Sequence, residues 1–218
     1  MSNSIIQLLV LAGIAIFLIL RLRSVLGTRE GFEKPPAPAP VQGKPDTRFE
    51  VIEGGVDHDI VDHVPEGSDA ARALAEMKRA EPSFSVSEFL GGARGAYELI
   101  LLAFERGDLA SVKPFLAPDV LDAFSEVVEA RKARGLTFTA EFMGIREVTL
   151  QEATFDKKSG EGEVTVRFSG ELISAGRDKD GKVVEGSPTE VRRQRDSWTF
   201  ARKMGSKDPN WLLVATGE

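Results

Sequence analysis

The spacing of apolar residues changes character along the chain, and each change marks a different kind of element. From Ser4 to Leu20 the run is almost continuously apolar, with Gln7 the one strongly polar residue inside it. Leu22, Val25 and Leu26 extend the run once Arg21 and Arg23 snorkel outward. As a helix, Ser4–Leu26 covers roughly 34 Å, enough for a hydrocarbon layer of about 30 Å. A cleaved signal peptide is the competing reading. It would carry a basic start and a small-residue cleavage site, whereas this run begins Met-Ser-Asn-Ser and ends Arg21-Leu22-Arg23. Residues 4–26 are therefore expected to be an uncleaved transmembrane anchor. A mitochondrial presequence would be Arg-rich and amphipathic from the start, so a bacterial protein is expected. Arg21, Arg23 and Arg29 follow the apolar run and no charged side chain precedes it, so the expected topology is N-terminus out with the bulk cytoplasmic.

Periodicity then disappears. Residues 27–68 hold six of the eleven prolines, including Lys34-Pro-Pro-Ala-Pro-Ala-Pro40. From Thr47 to Ser68 a single base, Arg48, faces six acids. Such a stretch repels itself and an anionic membrane, and is expected to be a disordered linker. Both histidines lie in it, as Asp57-His58-Asp59-Ile60-Val61-Asp62-His63. The spacing fits no metal-binding helix face, so a solvated acidic segment is the expectation. Phe49-Glu-Val-Ile52 is a short apolar interruption that is a weak candidate for docking on the domain or on a partner.

Helical spacing begins near residue 69. Ser68 or Asp69 caps a short helix carrying Ala73, Leu74 and Met77. Ser85 and Glu88 form a capping-box pair ahead of the clearest helix, with Phe89, Leu90, Ala93, Tyr97, Ile100, Leu101 and Phe104 on one stripe, ended by Gly107-Asp108. Gly91, Gly92 and Gly95 inside it each lower helix stability by about 1 kcal/mol against alanine. The expected compensation is close approach by a backbone or ligand. A phosphate loop is excluded, since no Gly-Lys-Ser/Thr follows. Leu109–Phe115 reads as a further short helix, and Asp119 to about Arg134 as another, with Val120, Leu121, Phe124, Val127 and Val128 inward and Gly135 as its stop.

Beyond Gly135 the period drops to two. Phe138, Ala140 and Phe142, then Val148 and Leu150, predict a strand or a bulged pair of strands. Gly162–Ser174, Val191–Arg202 and Trp211–Ala215 follow, joined by turns at Lys157–Gly160 and Asp178-Lys-Asp-Gly181. Helices first and antiparallel strands after them predict an α+β domain over residues 69–218. Asp178–Gly181 lacks the third acidic ligand and terminal Glu of a calcium loop.

Composition narrows the chemistry. The chain has 218 residues, no cysteine and a net charge of −6. That removes disulfides, thiolate metal sites and cysteine nucleophiles, and argues against nucleic-acid binding by bulk charge. The domain also lacks histidine, and no metal cluster, nucleophile elbow or phosphate loop is present. No catalytic residue, metal or cofactor is assigned. A carboxylate deep in the domain beside a polar partner is the feature that would favour an enzyme. Arg192, Arg193, Arg195, Arg202, Lys203 and Lys207 form the basic cluster that a ribosome or RNA tether would use, against the plainer reading of a solvated strand face.

Three segments together resemble the Tim44-like family. They are Phe89-Leu-Gly-Gly-Ala-Arg-Gly-Ala-Tyr97 with Ala103-Phe104 and Gly107-Asp108, Asp196-Ser-Trp-Thr-Phe200 with Arg202 and Lys203, and Asp208-Pro-Asn-Trp-Leu-Leu213. The anchor and proline-rich tether resemble the family's bacterial membrane-bound branch, often called TimA. The resemblance implies an NTF2-like cone, with helices on a curved antiparallel sheet around an apolar pocket. It also implies an adaptor at the inner membrane that binds lipid, cardiolipin among the candidates, and a membrane or translocation-associated protein. The resemblance does not extend to the long N-terminal region that recruits a chaperone in mitochondrial members, so a chaperone-recruiting role is not expected from it. Lys78, Arg79, Phe84, Val86, Phe89, Leu90 and Arg94 are the candidate lipid contacts, with core packing the alternative for their helix. Tyr97, Phe104, Phe168 and Trp198 are candidate pocket-lining residues, again with core packing as the alternative. Asp196 and Asp208-Pro209-Asn210 read as turn formers.

Overall fold

The computed structural model describes residues 56–217. The expected anchor (4–26) and most of the expected linker (27–55) lie outside the described residues. Among those described, no helix is long and apolar enough to cross a membrane.

The elements are α1 (His58–Val61), α2 (Asp69–Ala80), α3 (Val86–Arg106), a 3-10 turn (Lys113–Phe115), α4 (Pro118–Ala133), and strands β1 (Thr137–Asp156), β2 (Glu161–Arg177), β3 (Val183–Lys203) and β4 (Leu212–Gly217). The strands form one antiparallel sheet in the order β1-β2-β3-β4. Helices packed on such a sheet give an α+β fold, as the change of period predicts. β1 carries three extra residues against β2, at the register shifts Phe142/Gly144, Ile145/Glu147 and Leu150/Glu152. Each bulge adds bend and twist, so the sheet curls around the helices. A single bulged strand thus replaces the possible pair of strands.

Even-numbered residues of β2 and β3 face the helices. Val164, Val166, Phe168, Trp198 and Phe200 are buried there with Leu74, Met77, Phe89, Tyr97 and Ile100 from α2 and α3. Ser68 caps α2 by accepting the Ala71 N–H at 3.1 Å, and Gly107 ends α3 in the left-handed region at φ 72°. Two expectations are corrected. Residues 109–112 do not extend the short turn into a helix: they form only turns, and the 3-10 turn starts at Lys113 with Pro114, which has no N–H to give, in its first positions. Val127 is 43% exposed, since α4 offers the core only a narrow face centred on Val120 and Val128.

A larger correction concerns residues 56–68, expected in the disordered linker. They belong to the folded body. Ile60 and Val64, four apart, are buried in the main core. The acids around them are structural. Asp59 accepts the Val86 N–H at 2.8 Å, the Ser87 N–H at 2.9 Å and the Ser85 hydroxyl at 3.1 Å, so it caps α3 from outside the helix. Ser85 accepts the Glu88 N–H at 3.3 Å, completing the cap. Lys78 lies 2.8 Å from both Asp57 and Asp59. Burial alone would raise the Asp59 carboxyl, but hydrogen bonds from Lys78, Ser87 and Val86 outweigh it and hold the group well below the usual carboxylate range.

An aspartate lowered by folding stabilises the fold above its unfolded value, about 4, and that contribution disappears as pH falls through the folded value. Asp59→Asn is therefore expected to lower unfolding free energy by about 1–3 kcal/mol at pH 7. Urea melts of wild type and variant should converge as pH drops below about 4. A gap that stays constant down to acid pH contradicts this role for the charge.

Candidate functional site

The main opening lies where the start of α3 meets the ends of β3 and β4. It is a groove of about 350 Å³. Phe84, Phe89, Phe115, Phe200 and Trp211 give it an aromatic lining. The Phe89 and Trp211 centroids are 4.6 Å apart, and Phe84 and Trp211 are 5.8 Å apart. From α3 the groove receives Gly92, Ala93 and Ala96, so the helix side is flat. The polar edge consists of Glu81, Ser83, Ser85, Glu88, Arg202 and Asn210.

Arg202 is the central cation of this edge. Its side chain is 9% exposed, Nη2 is 2.7 Å from Glu81, and the guanidinium lies 5.2 Å from the Trp211 ring centroid. Its Nε is buried with no partner among the described residues. Burial would raise the Glu81 carboxyl, but the Gly205 N–H at 2.8 Å and Arg202 lower it on balance. The pair ties the end of α2 to the end of β3, and the Gly205 N–H adds the loop that follows.

The sequence-selected lipid contacts divide. Phe84, Val86 and Phe89 are 7%, 0% and 7% exposed, so their side chains face the core, and Phe84 and Phe89 also reach the groove. As an outward insertion face these three are corrected: the α3 stripe points to the sheet. Leu90 is half-buried and Arg94 exposed. Arg79 is exposed and paired with Glu76 at 2.5 Å. Lys78 is committed to Asp57 and Asp59.

The expected pocket lining also divides. Tyr97, Phe168 and Trp198 fill the centre of the domain. Tyr97 stacks on Phe168 at 4.4 Å and 14°, and Trp198 lies 4.8 Å from Tyr97. Phe104 instead lies beside Phe124 at 4.7 Å and borders a separate cavity near the end of α3. Asp196, read as a turn former, sits in mid-strand and accepts from the Tyr97 hydroxyl at 2.5 Å and the Gln194 amide at 2.9 Å. Burial, then the neighbouring Asp196 carboxylate, push the Tyr97 phenol above its ordinary value. A carboxylate deep in the domain beside a polar partner would favour an enzyme, but Asp196 is only half-buried. Here two donors within the fold already occupy it.

The other marked residues separate further. Arg192 and Arg202 lie on the inward parity of β3, whereas Arg193, Arg195 and Lys203 lie on the outer face, so the basic run is not one patch. His63 contacts the Ser87 hydroxyl at 3.1 Å, and among the described residues no group of acids and histidines is placed to hold a metal. Gly91, Gly92 and Gly95 face open space: a Cβ on any of them meets nothing within 4 Å. The expected close approach by a backbone is thus not made among the described residues.

A family model described as the Tim44-like domain matches residues 70–218. The mitochondrial import inner membrane translocase subunit TIM44-1 of Arabidopsis thaliana is 23% identical over 134 residues, covering 61% of this chain and 28% of that protein. The human subunit TIM44 is 26% identical over 151 residues, covering 67% of this chain and 33% of that protein. The chain therefore spans about a third of the length of these relatives. The solved intermembrane-space region of chloroplast protein ARC6 shows only a distant likeness, with TM-score 0.39 and 13% identity over 60% of this chain and 92% of that one.

The open space around two of the α3 glycines makes a stability prediction. Gly91→Ala and Gly95→Ala should each raise unfolding free energy by up to about 1 kcal/mol in urea melts. A loss would show that a Cβ meets something there. Trp211 is half-buried and Trp198 buried, so acrylamide should quench mainly Trp211. Trp211→Phe is expected to remove most of the quenchable emission and leave a blue-shifted remainder.

Proposed function

The chain belongs to the Tim44-like domain family, and from that membership we propose that it is a membrane-anchored adaptor that binds lipid and a protein partner linked to protein transport. Its relatives are named as subunits of a mitochondrial inner membrane translocase, which supports the transport link. Residues 4–26 are the anchor in this reading, and residues 27–55 are the tether. The folded part, an NTF2-like cone, works at the inner leaflet of a bacterial inner membrane, in a single-pass arrangement with its N-terminus outside. We read it as non-enzymatic.

The observation that carries the binding role is the aromatic groove. Its lining presents apolar surface of the kind that accepts an acyl chain or an apolar side chain, and Arg202 gives one end a cation. Phe84 and Phe89 act here as groove walls, not as residues that leave the core. Leu90, Arg79 and Arg94 stand around α3 and the end of α2, where anionic head groups such as those of cardiolipin would meet positive charge. The splitting of the basic run over two faces favours this local binding over a ribosome or nucleic-acid tether.

Photo-crosslinking in intact membranes tests the reading. A crosslinker in place of Ser83, on the groove edge, should capture lipid or a membrane-associated protein. One in place of Thr154, an exposed β1 residue away from the groove, should not. Equal capture from both positions, or recovery of the chain in the soluble fraction with residues 1–26 removed, would sink the adaptor role.

A further inference from the structure

At the other end of α3 from the groove, we propose a binding site for a small oxyanion, a carboxylate or a phosphate, centred on Arg131. Arg131 stands on the last turns of α4 and lays its guanidinium against two rings. Its Cζ is 4.8 Å from the Phe104 centroid and 4.2 Å from that of Phe138. Phe138 is itself seated closely on β2: a Cβ added to Gly176 would come within 2.7 Å of its ring. Rings packed against a guanidinium hold it in place and leave its in-plane N–H groups to make hydrogen bonds.

Those N–H groups are poorly satisfied within the fold. Nη2 is 3.6 Å from Glu105, beyond good hydrogen-bond length. Nη1 is buried with no partner among the described residues. Glu105 does not close on the guanidinium as a paired carboxylate commonly does, because its other oxygen accepts the Ser174 hydroxyl at 2.5 Å. The unmet need is therefore for an acceptor, which sets the sign of the ligand.

The space for it is present. A cavity of about 160 Å³ lies between Arg131, Glu105, Ser174, Arg192 and Gln194. A second, of about 180 Å³, lies toward Phe104 and shares Arg131, Glu105 and Phe138. Each is smaller than the roughly 300 Å³ of an ordinary small-molecule pocket, so the occupant is small. Arg192 adds a cation that makes no ion pair among the described residues. Arg193, also at the edge, is held by Glu171 at 3.1 Å. Glu185 is the remaining carboxylate at the edge, so with Arg193 neutralised by Glu171 the two other arginines, Arg131 and Arg192, face two carboxylates, and the acceptor demand rests on the unpartnered Nη1. The Arg131 head, held by the two rings on the wall shared by both cavities, is the binding element.

The site does not depend on the adaptor reading, and neither fails with the other. The test uses the full chain in detergent micelles, with sodium phosphate and sodium acetate titrated against sodium chloride at matched ionic strength. Arginine side-chain N–H resonances are followed by NMR, and the Arg131 signal is identified by its loss in Arg131→Lys. A saturable shift of that signal is expected. Saturation by phosphate alone, acetate alone or both identifies the oxyanion. Arg131→Lys, read through the Arg192 signal, should weaken binding by about tenfold or more, and Arg192→Gln by a few-fold. Arg167→Gln, on the outer sheet face, should leave it unchanged. A water-filled cavity would give no saturation with either anion, and that overturns the proposal. So does saturation undiminished in Arg131→Lys, or weakened equally in Arg167→Gln. If Arg131→Lys does not fold, undiminished binding in Arg192→Gln overturns it.

Discussion

The seating of α3 on the curled sheet is the contact from which the other features take their positions. It is made at Tyr97. The ring stacks on Phe168, and its hydroxyl reaches Asp196 at 2.5 Å. This approach is possible because β2 has Gly170 beneath the ring, where a Cβ would fall 2.7 Å from the Tyr97 oxygen. The phenol supplies a donor to the half-buried Asp196 carboxylate, and Gln194 supplies a second. The hydrogen bonds fix the rotation and axial register of the helix, which apolar packing alone defines loosely. With α3 held at its middle, a different cavity lies near each of its ends.

The ends are built differently. At the start of α3, the cap comes from a separate segment. Asp59 brings a full negative charge to the helix N-terminus, where unpaired N–H groups favour it, and Lys78 balances that charge from α2. Three elements therefore converge beside the aromatic groove, and its Phe84 and Phe89 wall is held by the same clasp. At the other end, Gly107 turns the chain away, and α4 returns to place Arg131 between Phe104 and Phe138. One end is aromatic with the Arg202–Glu81 ion pair at its edge. The other is polar, with a cation whose in-plane N–H groups are underused. The geometry thus separates an apolar recognition surface from a small charged one along a single helix.

Much of this was legible as periodicity. The caps at Ser68 and Ser85, the stop at Gly107 and the meander of strands follow from local chemistry, since each depends on residues within a few positions. The misreadings share a cause of the opposite kind. Residues 57–64 look like linker because their acids dominate composition, and only the fold brings Asp59 to Val86 and Ser87, 27 and 28 residues away. Asp196 looks like a turn former because its partner Tyr97 is 99 residues distant. The aromatic stripe of α3 was visible, but its direction was not. An amphipathic helix shows that one face is apolar without showing whether a sheet or a membrane covers it. Arg131 carried no signal at all, as one of three bases, with Lys132 and Arg134, in an exposed-looking helix end.

Charge gives the last step. A run such as Arg192-Arg193-Gln194-Arg195 looks like one basic patch in sequence, yet a strand sends alternate side chains to opposite faces. Arg193 turns outward to Glu171 at 3.1 Å, and Arg146 meets the same carboxylate at 2.9 Å. Arg192 turns inward toward the cavity of Arg131. Strand parity alone thus divides the basic run between two faces. A net charge of −6 then says little about partners, because the positive charge that matters is gathered inside concave sites. There, with little competing solvent, one arginine exerts more selectivity than several on an open face. Arg202 and Arg131 each stand on the wall of a cavity, near opposite ends of one helix.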